Sequence, residues 1–246
     1  MGRIMFFVII AVITFWFISC EDATGPNEIG GSTDVEFAKV GEKTRCSIYL
    51  NGKYVDNLFD TIVVIKNENG IVTTRAKLVF DTTATKQLDT LLGTSGLAND
   101  VKFNILNTYL NKFGVDLDTT NKNAMTLTVD LKSKVTSEGI QDFMYSGGDL
   151  SKPFTIVKYS GVVGDKYEFT DKDNVKITRT IVSKSTTDDY PVGFWNIKVT
   201  QIEETKEDPM VEKIVYIANH KFGMVGAIIF FKNGKSAKLT FFPPNM

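Results

Sequence analysis

Few side chains in this sequence stand where they could do chemistry together. His220 is the single histidine, so a zinc site built on several histidines is excluded. It follows Tyr216-Ile217-Ala218-Asn219 and precedes Lys221-Phe222-Gly223, at a strand end or in a loop. No Gly-x-Ser-x-Gly elbow supplies a nucleophile for it to activate. Asp116-Leu117-Asp118-Thr119-Thr120-Asn121 sets two carboxylates at alternate positions, as a calcium loop does. Thr120 replaces the third ligand, however, and both the turn glycine and the closing glutamate are missing. Gly93-Thr94-Ser95-Gly96 lacks a preceding buried strand and a Gly-Lys-Ser/Thr ending, so it reads as a helix break, not a phosphate cradle. Asp188-Asp189 and Glu203-Glu204 read as solvated charge at strand ends. No set of acid, base and nucleophile emerges, and neither a metal nor a cofactor is implied. The expectation is a protein that is not an enzyme.

The two cysteines are the remaining reactive groups. Cys20 closes Phe17-Ile18-Ser19-Cys20. Before it, Met1-Gly2-Arg3 gives a short positive start, and Ile4 to Ile18 is an apolar run of 15 residues with Thr14 its one polar member. That is shorter than the roughly 20 residues a bilayer-spanning helix needs, and it fits a secretory h-region. The segment resembles a bacterial lipoprotein signal peptide. The resemblance implies that residues 1–19 are removed, that the Cys20 thiol is acylated, and that the chain is held in the cell envelope by that lipid. It also implies the outer membrane, on its periplasmic or surface side. Glu21-Asp22 loosely resembles the acidic surface-export signals of some Gram-negative lipoproteins. Cys46 is then single. Alternation puts it on one strand face with Thr44, Ile48 and Leu50, opposite Arg45, Ser47 and Tyr49. It reads as a buried, inert thiol, and with no disulfide framework the fold must be held by core burial.

The elements that position these groups are mostly strands. The 246 residues less the first 19 leave 227, and the 28 basic residues less Arg3 leave 27 against 29 acidic ones. Neither sign dominates, so no electrostatic footprint for nucleic acid exists. Residues 20–34 hold three glycines, a proline and only Ile29 as a large apolar side chain, and read as a lipidated flexible tether. Residues 35–246 read as a single β-rich domain, with a division into halves 35–150 and 154–246 left open. Expected strands are Lys43–Leu50, Leu58–Lys66, Ile71–Phe80, Met125–Leu131, Tyr167–Phe169, Val175–Val182, Phe194–Ile202, Val211–Ala218, Met224–Lys232 and Ser236–Phe242. Asn51-Gly52, Asn67-Glu68-Asn69-Gly70, Asp171-Lys172-Asp173-Asn174 and Asn233-Gly234 mark tight hairpins. Glu138–Lys152 reads as irregular. Residues 82–113 change period: Leu88, Leu91 and Leu92, then Val101, Ile105, Tyr109 and Phe113 with Leu106 and Leu110, form helical stripes ahead of Gly114. Two helices covering one sheet face are expected there.

Two patterns bear on function. Val40-Gly41-Glu42-Lys43 is echoed by Val163-Gly164-Asp165-Lys166, 123 positions on, through either duplication or coincidence. Met224-Val225-Gly226-Ala227-Ile228-Ile229-Phe230-Phe231 is apolar on both faces, as a central strand covered on both sides would be. One face is core. The other, with Met224, Gly226, Ile228 and Phe230, either packs under the helix layer or is the candidate wall of a ligand cavity. An apolar cavity without acid–base groups holds a ligand and does not convert it.

Val163-Gly164-Asp165-Lys166-Tyr167, Val192-Gly193-Phe194 leading into Ile197-Lys198-Val199, Val215-Tyr216-Ile217-Ala218 and Gly223-Met224-Val225 resemble uncharacterised envelope β-sheet lipoproteins over residues 160–240. The resemblance implies a large, twisted antiparallel sheet, partly rolled toward a half-barrel. The expected function is non-enzymatic binding of a lipid or other apolar or amphipathic ligand. The alternative is a structural adaptor among envelope proteins, without a small ligand.

Overall fold

The computed structural model describes residues 27–55, 59–80, 86–87, 89–90 and 125–242. A 3-10 turn at Glu36–Ala38 leads into β1 (Lys43–Leu50), β2 (Lys53–Val55), β3 (Phe59–Glu68), β4 (Ile71–Phe80), β5 (Met125–Thr136), β6 (Gly139–Asp142) and β7 (Phe154–Lys158). There follow β8 (Lys166–Thr170), β9 (Lys176–Lys184), β10 (Tyr190–Val192), β11 (Trp195–Ile197), β12 (Thr200–Lys206), β13 (Val211–Asn219), β14 (Gly223–Phe231) and β15 (Ser236–Phe242). The large sheet runs β7-β6-β5-β4-β3-β1-β15-β14-β13-β12-β9-β8, with neighbouring strands antiparallel and β2 extending one side of β1. Its two edge strands, β7 and β8, lie alongside each other, and β7 also approaches β9 and β12. The sheet is therefore nearly closed into a barrel, rolled further than the half-barrel implied by the sequence.

Short turns make this meander. Asn51 and Asn69 take left-handed backbone at φ 49° and 51°, each followed by a positive-φ glycine, which is the geometry that a two-residue hairpin requires. Alternation then sorts the faces. Val72 and Ala76 point inward on β4, while Arg75 turns out and pairs with Asp130 on β5 at 2.7 Å. On this pair of strands charge faces out and apolar side chains face in, the reverse of a lipid-facing barrel.

The echoed tetrapeptides occupy equivalent places. Gly41 and Gly164 have φ of 93° and 100°, values open to glycine at little cost. Gly41 N–H donates to the Val64 carbonyl at 2.8 Å and Val64 N–H to the Glu42 carbonyl at 2.9 Å. Gly164 N–H donates to the Ile181 carbonyl at 2.8 Å and Ile181 N–H to the Asp165 carbonyl at 3.0 Å. Each turn opens a run of six neighbouring strands: β1-β3-β4-β5-β6-β7 in one half and β8-β9-β12-β13-β14-β15 in the other. The halves join where β1 pairs β15.

Several expectations need correcting. Glu138–Lys152 is not wholly irregular, because β6 lies within it. β7, just beyond, is almost wholly buried and so shows no alternation. The strand expected over Phe194–Ile202 is interrupted: β10 and β11 form a separate hairpin before β12 begins. The second half of the 20–34 segment is part of the fold. Ile29 is buried, Ser137 N–H donates to the Ser32 carbonyl at 2.8 Å, and Asn27 Nδ2 donates to the Glu168 carbonyl at 3.1 Å. The two helices expected in 82–113 fall outside the described residues except for Lys86, Gln87, Asp89 and Thr90, which are helical.

Candidate functional site

The barrel interior holds a cavity of about 360 Å³. Its wall comes from both halves: Val64, Val72, Ile140 and Ile156 on one side, and Met224, Ala227, Leu239 and Phe241 on the other. Phe37 and Ala38 of the 3-10 turn also line it. Asn67 Nδ2 fixes that turn by donating to the Ala38 carbonyl at 2.9 Å. Phe37 lies so close to Gly223 that a Cβ there would fall 2.6 Å from its ring. The turn plugs the barrel end at which β1 begins and β15 finishes.

Asp142 brings a buried polar cluster to the cavity wall. Arg179, fully buried on β9, donates through Nε to Glu204 Oε2 and through Nη2 to Asp142 Oδ2, both at 2.7 Å. Its Nη1 donates to the Phe154 carbonyl at 3.2 Å, and its guanidinium lies 3.9 Å from the centroid of the Phe154 ring. Tyr216 donates to Glu204 Oε2 at 3.0 Å, and Tyr145 donates to Glu204 Oε1. Burial raises the Asp142 pKa above the usual carboxylate range, against the pull of Arg179. Burial also raises both tyrosines, helped by Glu204, so their hydroxyls stay protonated donors. For Arg179 burial works the other way, but the two carboxylates more than reverse it. Arg179 thus ties β6 and β7 at one edge of the sheet to β9 and β12 near the other. The cluster clamps the closure and offers no unengaged nucleophile.

Glu204 was expected to be solvated and is not: it is 1% exposed. Only its neighbour Glu203 behaves as expected, pairing near the surface with Lys213 at 2.8 Å. Arg179 escaped the sequence reading, although one signal marks it. It stands between Ile177 and Ile181 on the inward parity of β9.

The cavity candidates divide. Met224 lines the cavity, as does Ala227, but a β-bulge lies between them: Ala218 pairs with Met224 and Ile217 with Gly226, leaving Val225 without an opposite residue. The extra residue reverses the alternation. A Cβ on Gly226 would face Ile217, 3.3 Å from its Cδ1 and 2.9 Å from the Leu239 carbonyl oxygen. Ile228 packs with Val192, Ile197, Ile217 and Val225 in a second core beneath the β10–β11 hairpin. Phe230 follows the same parity and meets the Lys213 ammonium at 5.4 Å. Gly226, Ile228 and Phe230 therefore lie on the outer face.

His220 is exposed in the β13–β14 turn, edge-on to Tyr159 at 6.4 Å. Cys46 is half-buried, and burial pushes its thiol up to about 12. Cys20, Gly93–Gly96 and Asp116–Asn121 lie outside the described residues. Among the described residues no three His, Cys, Asp or Glu side chains converge as metal ligands.

No family model matches the chain, and no curated protein matches it in sequence. Among solved structures, one from Bacteroides fragilis, described as a "putative exported protein with YmcC-like fold", shares 9% identity with this chain. The match covers 82% of this chain and 94% of the other at a TM-score of 0.41, a degree of likeness that carries no argument about function.

Proposed function

We propose that this chain is a lipid-anchored envelope protein that holds one acyl-sized apolar or amphipathic ligand inside its barrel and does not convert it. The observation that carries the reading is the cavity, whose 360 Å³ falls within the range of small-molecule sites, about 300–1,000 Å³. A methylene occupies about the 30 Å³ that a water claims in the liquid, so the space suits a chain of about a dozen carbons. Binding without turnover is favoured because Asp142, the buried carboxylate on the wall, is already engaged by Arg179 and by the Met144 N–H at 3.1 Å. Anchoring is supported by the apolar run that ends at Ser19-Cys20, and the outer membrane is part of the same proposal.

The test is native mass spectrometry of the protein purified from its own envelope. The expected result is a non-covalent adduct of single-chain size, lost on denaturation, in addition to the covalent mass at Cys20. Protein that carries no adduct, and takes up neither dodecanol nor dodecanoate, would remove the ligand reading.

A further inference from the structure

The β10–β11 hairpin carries Phe194 at 105% exposure and Trp195 at 60% beside it. Soluble domains seldom leave two adjacent large aromatics in water without a use for them. The hairpin is not loose: Val192 and Ile197 are buried against Ile217 and Val225. Lys198 N–H also donates to Asp188 at 3.1 Å. A rigid base thus presents an apolar tip.

The tip stands at the plugged end of the barrel. A Cβ on Gly193 would lie 3.4 Å from the ring of Phe242, the last residue of β15. The antiparallel order places the starts of β1 and β8 at that same end. Val40, Val162 and Val163, in the turns before those two strands, are each more than half exposed. The echoed turn therefore puts an exposed valine at this end in both halves.

The chain ahead of the fold limits how far this end can stand from a membrane. Asn27 is fixed to the barrel through the Glu168 carbonyl, and its own carbonyl accepts from Gln141 Nε2. Cys20 lies seven residues earlier, a reach of about 25 Å even when fully extended. A nine-residue strand such as β13 is itself about 30 Å long. A lipid on Cys20 therefore keeps Asn27 within about 25 Å of the bilayer, less than the height of the barrel, so that one face is within easy reach of the headgroups.

We infer that the plugged end is a membrane-docking surface, with Phe194 and Trp195 inserted at the headgroup level. Trp and Phe suit that depth because the indole is apolar in body and keeps a donor for the wet side. This rests on the lipid anchoring proposed above, but it can fail separately.

Trp16 leaves with the leader, so Trp195 is the one tryptophan from Cys20 onward and reports on this surface without mutation. The experiment places the lipidated protein on phosphatidylethanolamine–phosphatidylglycerol vesicles whose acyl chains are brominated near the headgroup. Trp195 emission is expected to shift to the blue and to be quenched, and Phe194→Ser, at a fully exposed site, is expected to weaken the quenching without unfolding. Quenching of Cys20→Ser protein on the same vesicles would support docking even if anchoring were wrong. Protein that stays on the vesicles with Trp195 unquenched overturns the docking and leaves anchoring intact. A Trp195 that is unquenched by bromine yet shielded from iodide in native envelopes would give the hairpin to a protein partner and also overturn it.

Discussion

Replacing Arg179 by leucine should be among the most damaging single changes to this fold. The substitution keeps apolar volume but leaves Asp142 and Glu204, respectively 5% and 1% exposed, without their cation. Each attraction at ordinary ion-pair distance is worth about 4 kcal/mol at an effective dielectric near 20. Desolvation offsets much of that in the native protein, so the net cost of removing one partner is ~3–5 kcal/mol. Total stability for a domain is about 5–15 kcal/mol, so the loss is large but measurable by urea unfolding followed by circular dichroism. The sign with pH follows from burial. In the variant Asp142, whose pKa burial already raises against the pull of Arg179, keeps a folded pKa above its unfolded one. The deficit is therefore absent where both states are protonated, below the ordinary aspartate pKa of 3.8, grows as pH rises from there toward the raised folded value, and levels off above it. Hydrogen exchange should show β7 opening first, since the Phe154 carbonyl loses its Nη1 donor. A triple variant, Arg179→Leu with Asp142→Asn and Glu204→Gln, should recover most of the loss. A single variant that costs under about 1 kcal/mol, or one whose cost ignores pH, would refute the clamp.

The bulge in β14 sets up a contrast: Gly226→Leu should lower the melting temperature by driving a side chain at Ile217 and the Leu239 carbonyl. Ala227→Leu should keep the fold and abolish the adduct proposed for native mass spectrometry; equal behaviour of the two would undo the parity assignment. Cys46 should resist iodoacetamide in the native protein and react once unfolded. Because its folded pKa is raised to about 12, the stability it contributes is complete below the ordinary thiol value of 9.0 and declines between the two. Ile29→Ala should cost about 2 kcal/mol and expose residues 27–34 to proteases, which an unchanged digestion pattern would contradict. On the proposed anchoring, Cys20→Ala should leave the precursor uncleaved or abolish membrane retention, since acyl chains contribute about 0.8 kcal/mol per buried CH2. Detergent partitioning at the wild-type level would rule that out.

Much of the meander was legible because its signals are local. Asn-Gly pairs named the turns, and period-two runs such as Ile71–Phe80 named the strands with their faces. The tetrapeptide echo also proved informative, because a glycine at φ near +100° is a backbone requirement written directly into the chain. What stayed hidden depends on partners distant in sequence. Phe154–Lys158 is enclosed from both sides and has no polar face to give it a period. Glu204 looks like any charge at a strand end until β9 brings Arg179 against it. The bulge at Val225 leaves the composition of its strand unchanged and yet exchanges its two faces, so that three of the four cavity candidates point outward. The 20–34 segment was read by composition, which cannot register that one isoleucine and a few backbone groups suffice to seat it.

The pairing of β1 with β15 also governs the order in which the molecule can be completed. Arg45 meets Phe242, 197 positions later, so the first strand to leave a ribosome or a translocation pore waits for the last. Closing so long a loop adds little to the final free energy, since its entropy grows only logarithmically with length, but it slows the search. Until then one side of β1 is an open edge, of the kind that recruits other chains. The first half can zip its hairpins as it emerges, yet it cannot become a barrel. A chain that loses only its final strand would end not as a smaller barrel but as an open sheet with unpaired edges at β1 and β14.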